Sequence, residues 1–68
     1  MKHQNLDEYI HLLRRPRVEN ITGLGRSAIY ALVAQGDFPA PVRLTAKSVA
    51  WRSDEVQAWV NSRPSTKS

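Results

Sequence analysis

The segment Thr22-Gly23-Leu24-Gly25 constrains this chain more than any other. Two glycines this close interrupt a helix, because glycine loses more backbone freedom there than any other residue that keeps its N–H. On both sides of the break the apolar residues keep helical spacing. Val18 and Ile21 stand at i and i+3 before it, and Ile29, Leu32 and Val33 at i, i+3 and i+4 after it. The pattern predicts two short helices joined at a three-residue corner. Pro16 suits the first turn of the first helix, where its missing N–H costs nothing. Gly23 suits the left-handed position that ends it, and Gly25 can act as N-cap of the second helix. Gly36 closes that helix. Phe38-Pro39-Ala40-Pro41 is extended, since a proline bars the residue before it from the helical region.

A chain of 68 residues holds one domain and buries only roughly 60% of the surface it exposes when unfolded. That excludes a doubly wound nucleotide fold. Gly23-Leu24-Gly25-Arg26-Ser27-Ala28 does spell G-x-G-x-x-A, but a dinucleotide site needs a preceding strand and a βαβ unit. No cysteine is present, so disulfides and thiolate metal sites are excluded and a reducing cytoplasm is expected. His3 and His11 are two imidazoles near one terminus, too few for a structural zinc site, and they read as exposed bystanders. No nucleophile–base pair or phosphate-cradling loop marks an enzyme, and neither metal nor cofactor is expected. No run approaches the ~20 apolar residues of a membrane span. The first residues lead into Asp7 and Glu8 with no apolar signal region, so the chain reads as cytoplasmic, unprocessed and nucleoid-associated.

Ten Lys and Arg against six Asp and Glu give a net charge of +4. The excess is clustered. Across residues 14–26, Arg14, Arg15, Arg17 and Arg26 stand against Glu19 alone. Across residues 42–53, Arg43, Lys47 and Arg52 have no acidic residue among them. Between the clusters only Asp37 is charged. Two basic clusters flanking a neutral stretch suit a polyanion gripped at two places. Solubility alone is the plainer reading of such an excess.

The remaining elements follow from local patterning. Residues 1–13 form an N-terminal extension. Leu6, Tyr9, Ile10 and Leu13 keep helical spacing behind Asn5 as a cap, which predicts a short helix; the competing reading is an extended arm across Ile10-His11-Leu12-Leu13. Val42-Arg43-Leu44-Thr45 and Val49-Ala50-Trp51-Arg52 both alternate and predict a small hairpin. Val42, Leu44, Val49 and Trp51 fall on one side; Arg43, Thr45, Ala50 and Arg52 fall on the other. The joint Ala46-Lys47-Ser48 lacks glycine and asparagine, which argues against a tight two-residue turn. Ser53 then caps a last helix with Asp54 and Glu55 in its first turn and Val56, Trp59 and Val60 as its apolar stripe. Trp51 and Trp59 belong to the core, and residues 64–68 form a frayed, disordered polar tail.

Two short helices meeting at a glycine corner make a helix-turn-helix. The stripe Ile29, Leu32 and Val33 buries one face of the second helix. Arg26, Ser27 and Tyr30 occupy the free face at its N-terminal end, where recognition helices read bases. The hairpin offers Arg43, Lys47 and Arg52 as a phosphate-gripping wing, and the first helix offers Arg14, Arg15 and Arg17 as phosphate contacts. The fold expected is mainly α with a small β-hairpin, a winged helix-turn-helix in a single domain over residues 14–63. The expected partner is double-stranded DNA. One module of this size covers only ~600–1,000 Å² of duplex, so self-association on repeated sites is expected too.

The run from Pro16 through Ile21-Thr22-Gly23-Leu24-Gly25-Arg26-Ser27 to Ile29-Tyr30, then Gly36-x-Phe38-Pro39-x-Pro41-Val42, then Val49-x-Trp51-Arg52-x-x-Glu55-Val56-x-x-Trp59, resembles the AlpA-type prophage regulators. These are small DNA-binding proteins with a MerR-like winged helix, related to excisionases. The resemblance covers residues 14–63 and implies transcriptional control of prophage or mobile-element genes. It also allows an excisionase-like recombination directionality factor that bends DNA beside an integrase. A reading of another class is a protein-interaction inhibitor of a host regulator, using Leu6, Tyr9, Ile10 and Leu13. The family usually carries Ser where Gly25 stands, a basic residue where Ala31 stands, and glycine in the wing tip. Arg15 and Arg17 replace an apolar and an acidic residue. These departures move positive charge from the second helix to the first and imply heavier reliance on phosphate contacts.

Overall fold

The computed structural model describes residues 9–67. In chain order the elements are β1 (Leu12–Leu13), α1 (Arg15–Thr22), α2 (Arg26–Gln35), β2 (Val42–Thr45), β3 (Ser48–Arg52) and α3 (Ser53–Asn61). The glycine corner forms as its chemistry dictates. Gly23 takes φ 76° and ψ 6°, and its N–H donates to the Glu19 carbonyl. The Thr22 hydroxyl donates to the Val18 carbonyl at 2.8 Å and accepts the Leu24 N–H at 3.2 Å, which holds Leu24 against the core. Gly36 ends α2 in the same left-handed conformation, at φ 80°.

A methyl group on Gly23 would meet no atom within 4 Å. The cost of Gly23→Ala is therefore the backbone penalty of the left-handed region, about 1–2 kcal/mol. A urea titration is expected to show a lower midpoint with an unchanged slope.

The buried cluster consists of Val18 on α1, Ile29 on α2, Phe38 after α2, Trp51 on β3 and Val56 on α3. Leu13, Leu24, Leu32, Val33, Val49 and Trp59 pack around it, partly buried. The helices give their expected stripes with two departures, Val60 and Ile21, which lie outside this cluster. Ile21 is 37% exposed and lines an open groove instead. Trp59 is only half buried. Its indole N–H donates to the Asp37 carbonyl at 2.7 Å, Phe38 meets its ring edge-on, and the Arg63 guanidinium lies 4.2 Å from the ring centre.

The three strands pair antiparallel in the order β1-β3-β2. Leu12 and Leu13 lie opposite Arg52 and Trp51. The N-terminal helix expectation fails over residues 9–13, and the extended arm is what forms. Leu6, Asn5 and His3 lie outside the described residues. The reason lies 42 positions away: the Ser53 hydroxyl accepts the His11 N–H at 2.7 Å, and the Ser53 N–H donates to the His11 carbonyl at 2.8 Å. Ser53 is thus spent on the arm and does not cap α3. Its place as cap is taken by Arg52, and Asp54 Oδ1 accepts the Glu55 N–H at 2.9 Å within the first turn.

The hairpin departs twice from expectation. Its turn is a tight one after all, with Thr45 paired to Ser48 across Ala46-Lys47. Side chains stand in for glycine there. The Thr45 and Ser48 hydroxyls bond at 2.8 Å, Thr45 Oγ1 accepts the Lys47 N–H, and Arg43 Nη1 donates to the Ala46 carbonyl. Farther from the turn, Arg43 pairs with Val49 and Val42 with Ala50, so the register slips by one and Leu44 has no cross-strand partner. Without that bulge Leu44 would face Val49, and the expected faces would hold. With it, Arg43 joins the Val49 and Trp51 side, opposite Arg52, because a one-residue slip moves a strand to the other face. A two-residue turn lacking positive φ splays its strands, and the bulge restores twist.

The architecture is mainly α: a helix-turn-helix, a hairpin wing and a third helix around one core. Residues 64–67 are exposed and carry no helix or strand, and Ser68 lies outside the described residues. Among the described residues no helix is long and apolar enough to cross a membrane.

Candidate nucleic-acid interface

The N-terminal turn of α2 is built from the core outward. Ile29 is fully buried and fixes the helix, which leaves Arg26 and Ser27 exposed on the turn before it. Tyr30 is 39% exposed and rests edge-on against the Trp51 ring, 5.9 Å between centres at 65°. That contact ties Tyr30 of α2 to β3. Gly25 caps α2 with extended backbone and no side-chain bond. The first N–H groups of a helix have no acceptor within it, and such an end favours an anion. No acidic residue sits in that turn. Arg26 stands there at the positive end of the helix dipole, where a cation is disfavoured unless an anion joins it.

The six other basic residues expected at the interface fall into three groups. Arg43 and Lys47 are both exposed at the hairpin tip. Arg14 and Arg17 line the groove beside His11, Leu12 and Leu13. Arg15 and Arg52 are already engaged: Arg15 with Glu19 at 2.9 Å, and Arg52 with both Asp54 oxygens at 3.0 and 3.1 Å and with Glu55 at 3.8 Å. Among the described residues, Arg14, Arg17, Arg26, Arg43 and Lys47 make no ion pair. The structure therefore groups Arg26, Ser27 and Tyr30 on one end of α2 and Arg43 with Lys47 on the wing. It does not bring Arg52 to them.

The Arg52 fork also sets the titration of Asp54. The hydrogen bond from Arg52 holds the Asp54 carboxyl below its usual range, and Asp54 in turn raises Arg52. A carboxyl lowered by folding supports the fold above its unfolded pKa, about 3.9, and that support disappears as pH falls through the lower folded value. Wild type is expected to lose more stability on acidification below about pH 4 than Asp54→Asn does. Melting curves along a pH series check this. The pair is exposed, so the difference is small.

Comparison with known proteins places this geometry. The family described as prophage CP4-57 regulatory protein (AlpA) matches residues 11–64. The chain belongs to the AlpA family. The matched span of this AlpA-family chain begins at the strand partner of β3 and runs past α3, so it takes in every element of the fold. The chain is also 49% identical over 51 residues to a protein of Enterobacteria phage P4 described as uncharacterized protein ORF88. That match takes in 75% of this chain and 58% of the phage protein's length. The AlpA family is one of prophage regulators, which agrees with an exposed basic helix end on a winged scaffold.

Sequence reading missed two residues that shape this surface. Thr22 staples the corner through its hydroxyl; a Thr just before a helix-ending glycine is a weak signal for that. Leu44 is turned out at the wing by the bulge and is 40% exposed. No local pattern announces it.

Proposed function

We propose that the protein is a sequence-specific double-stranded DNA-binding regulator of prophage or mobile-element genes. The observation that carries this is the exposed first turn of α2: Arg26 and Ser27 are exposed just after a glycine cap that offers no side-chain bond, with buried Ile29 fixing the helix. Arg26, Ser27 and Tyr30 enter the major groove, which admits one helix. Arg43 and Lys47 hold phosphates from the wing, and Arg14 and Arg17 from the start of α1. Arg15 stays with Glu19, and Arg52 serves to tie β3 to α3 through Asp54. Copies sit side by side on repeated sites, since one module covers too little duplex to be selective alone.

Selection from random duplexes, followed by gel retardation of the recovered sequence, tests this. Recovery of one motif with retardation is the expected result; no retardation at low salt overturns the proposal. A second reading has its own support. Tyr9, Ile10 and Leu12 are at least half exposed, and Tyr9 and Ile10 border a groove of about 420 Å³ between the arm, α1 and α3. Docking on a host regulator through that groove would bind protein without any salt-sensitive DNA complex.

A further inference from the structure

The two edges of the sheet are not alike. β2 is guarded: Pro41 precedes it, Arg43 lies within it, and the bulge between Arg43 and Thr45 breaks its run. Proline, charge and bulges are how proteins keep an edge from pairing with another chain. β1 carries none of these between Tyr9 and Leu13. Among the described residues no strand lies beyond it. Tyr9, Ile10 and Leu12 are about half exposed there, with only His11 between them. Three large apolar residues exposed together on one uncovered edge mark an interaction surface rather than scattered exposure.

The ladder fixes what that edge offers. The His11 N–H and carbonyl are both bonded to Ser53. Bonding alternates along an antiparallel pair. Leu12 therefore turns its N–H and carbonyl away from β3, and Ile10, on the other side of His11, does the same. Their side chains share one face, opposite the face on which Leu13 packs against the core. A second copy of this strand matches that edge. Turned antiparallel about His11, it sets Ile10 opposite the partner's Leu12 and Leu12 opposite the partner's Ile10, and each such pair exchanges two N–H···O bonds. The direction also suits the charges. Asp7 and Glu8 precede the arm, and Arg14 and Arg15 follow it. Antiparallel copies bring acidic residues toward basic ones, whereas parallel copies bring like toward like. A head-to-tail join of β1 on β2 is barred by the guarded edge.

Building on the proposed DNA reading, we infer that two copies pair through β1 across a two-fold axis, which joins their sheets and arranges their half-sites as an inverted repeat. Such an isologous contact closes at two copies, and the palindromy of the half-sites mirrors the two-fold. The contact is small. The arm falls far short of the ~20–30 residues a side of a standard interface. The copies are therefore monomers in dilute solution and pair on the duplex, where neighbouring sites hold them at an effective concentration on the order of millimolar.

The test uses the full chain and the motif recovered by selection, placed on duplexes once, twice inverted and twice direct, with centres one or two helical turns apart. On the inverted pair the second wild-type copy is expected to bind about tenfold tighter than the first; on the direct pair the copies bind independently. Leu12→Pro removes an N–H that faces the open edge, so β1 still pairs with β3. It binds the single site as wild type does and loses the tenfold gain. The chain lacks cysteine, so introduced thiols read the register. Cα atoms across a hydrogen-bonded pair lie about 5.5 Å apart, within disulfide reach. Ile10→Cys and Leu12→Cys, mixed on the inverted duplex and oxidised, form covalent dimers holding one chain of each, several-fold more than either variant alone. Leu44→Cys, exposed on the hairpin, forms none. Independent binding of wild type to the inverted pair, or no excess of the mixed dimer, overturns the edge pairing and leaves the DNA reading standing. Wild type that retards no duplex overturns the DNA reading and the pairing with it.

Discussion

Trp51→Ala is expected to leave most of the chain unfolded at room temperature. Trp51 is fully buried, lies opposite Leu13 across β1 and β3, and touches Tyr30 with its ring edge. Its indole N–H donates to the Pro39 carbonyl at 2.9 Å, which pins the extended Phe38–Pro41 segment to the sheet. Truncating a buried aromatic to alanine costs about 3–5 kcal/mol. A 68-residue domain commands only about 3–10 kcal/mol in total at ordinary per-residue stability. One substitution thus removes much or all of the margin. Trp51→Phe keeps the ring contact but strands the Pro39 carbonyl, and is expected to fall between the two. Thermal melts by circular dichroism read the series. A Trp51→Ala melt within a few degrees of wild type would mean that the core does not run through β3.

Binding to duplex DNA is expected to weaken about 100–200-fold as salt rises from about 50 to about 200 mM, if four phosphates are neutralised per copy. The count comes from the ion-pair pattern. Arg14, Arg17, Arg43 and Lys47 make no ion pair among the described residues, whereas Arg15 and Arg52 are held by Glu19 and Asp54. Arg26 is left out of the count because its proposed role is base reading. Were all six phosphate-assigned residues to count, the loss would approach a thousand-fold or more. Titrations at four salt concentrations give the slope, and Lys47→Ala is expected to reduce its magnitude by about one. A slope unaffected by Lys47→Ala would remove the wing from the interface, and no slope at all would favour the protein-docking reading.

The helices were legible in the sequence because their limits are local chemistry. Gly23 and Gly36 take the left-handed conformation that only glycine adopts cheaply, and Ile29 and Val56, the first residues of their stripes, are buried as their spacing requires. The sheet was legible only in outline. β1 is two residues long, too short to carry a period, and its strand character comes from Ser53 far along the chain. The bulge at Leu44 belongs to strand register, which depends on the partner strand and the turn together. Alternation alone therefore assigned Arg43 and Arg52 to one face, and the slip separated them. The candidate site divides in the same way. Exposure of Arg26 and Ser27 follows from one helical period, while capture of Arg52 by Asp54 depends on how β3 runs straight into α3.

The most direct test of base reading by the α2 N-terminus is the affinity of Arg26→Ala for the selected duplex and for a random-sequence duplex, at one fixed salt concentration. Loss of about 1–3 kcal/mol on the selected duplex, with little change on the random one, is the predicted result. Equal weakening on both would reduce Arg26 to a phosphate contact and contradict sequence reading by this helix.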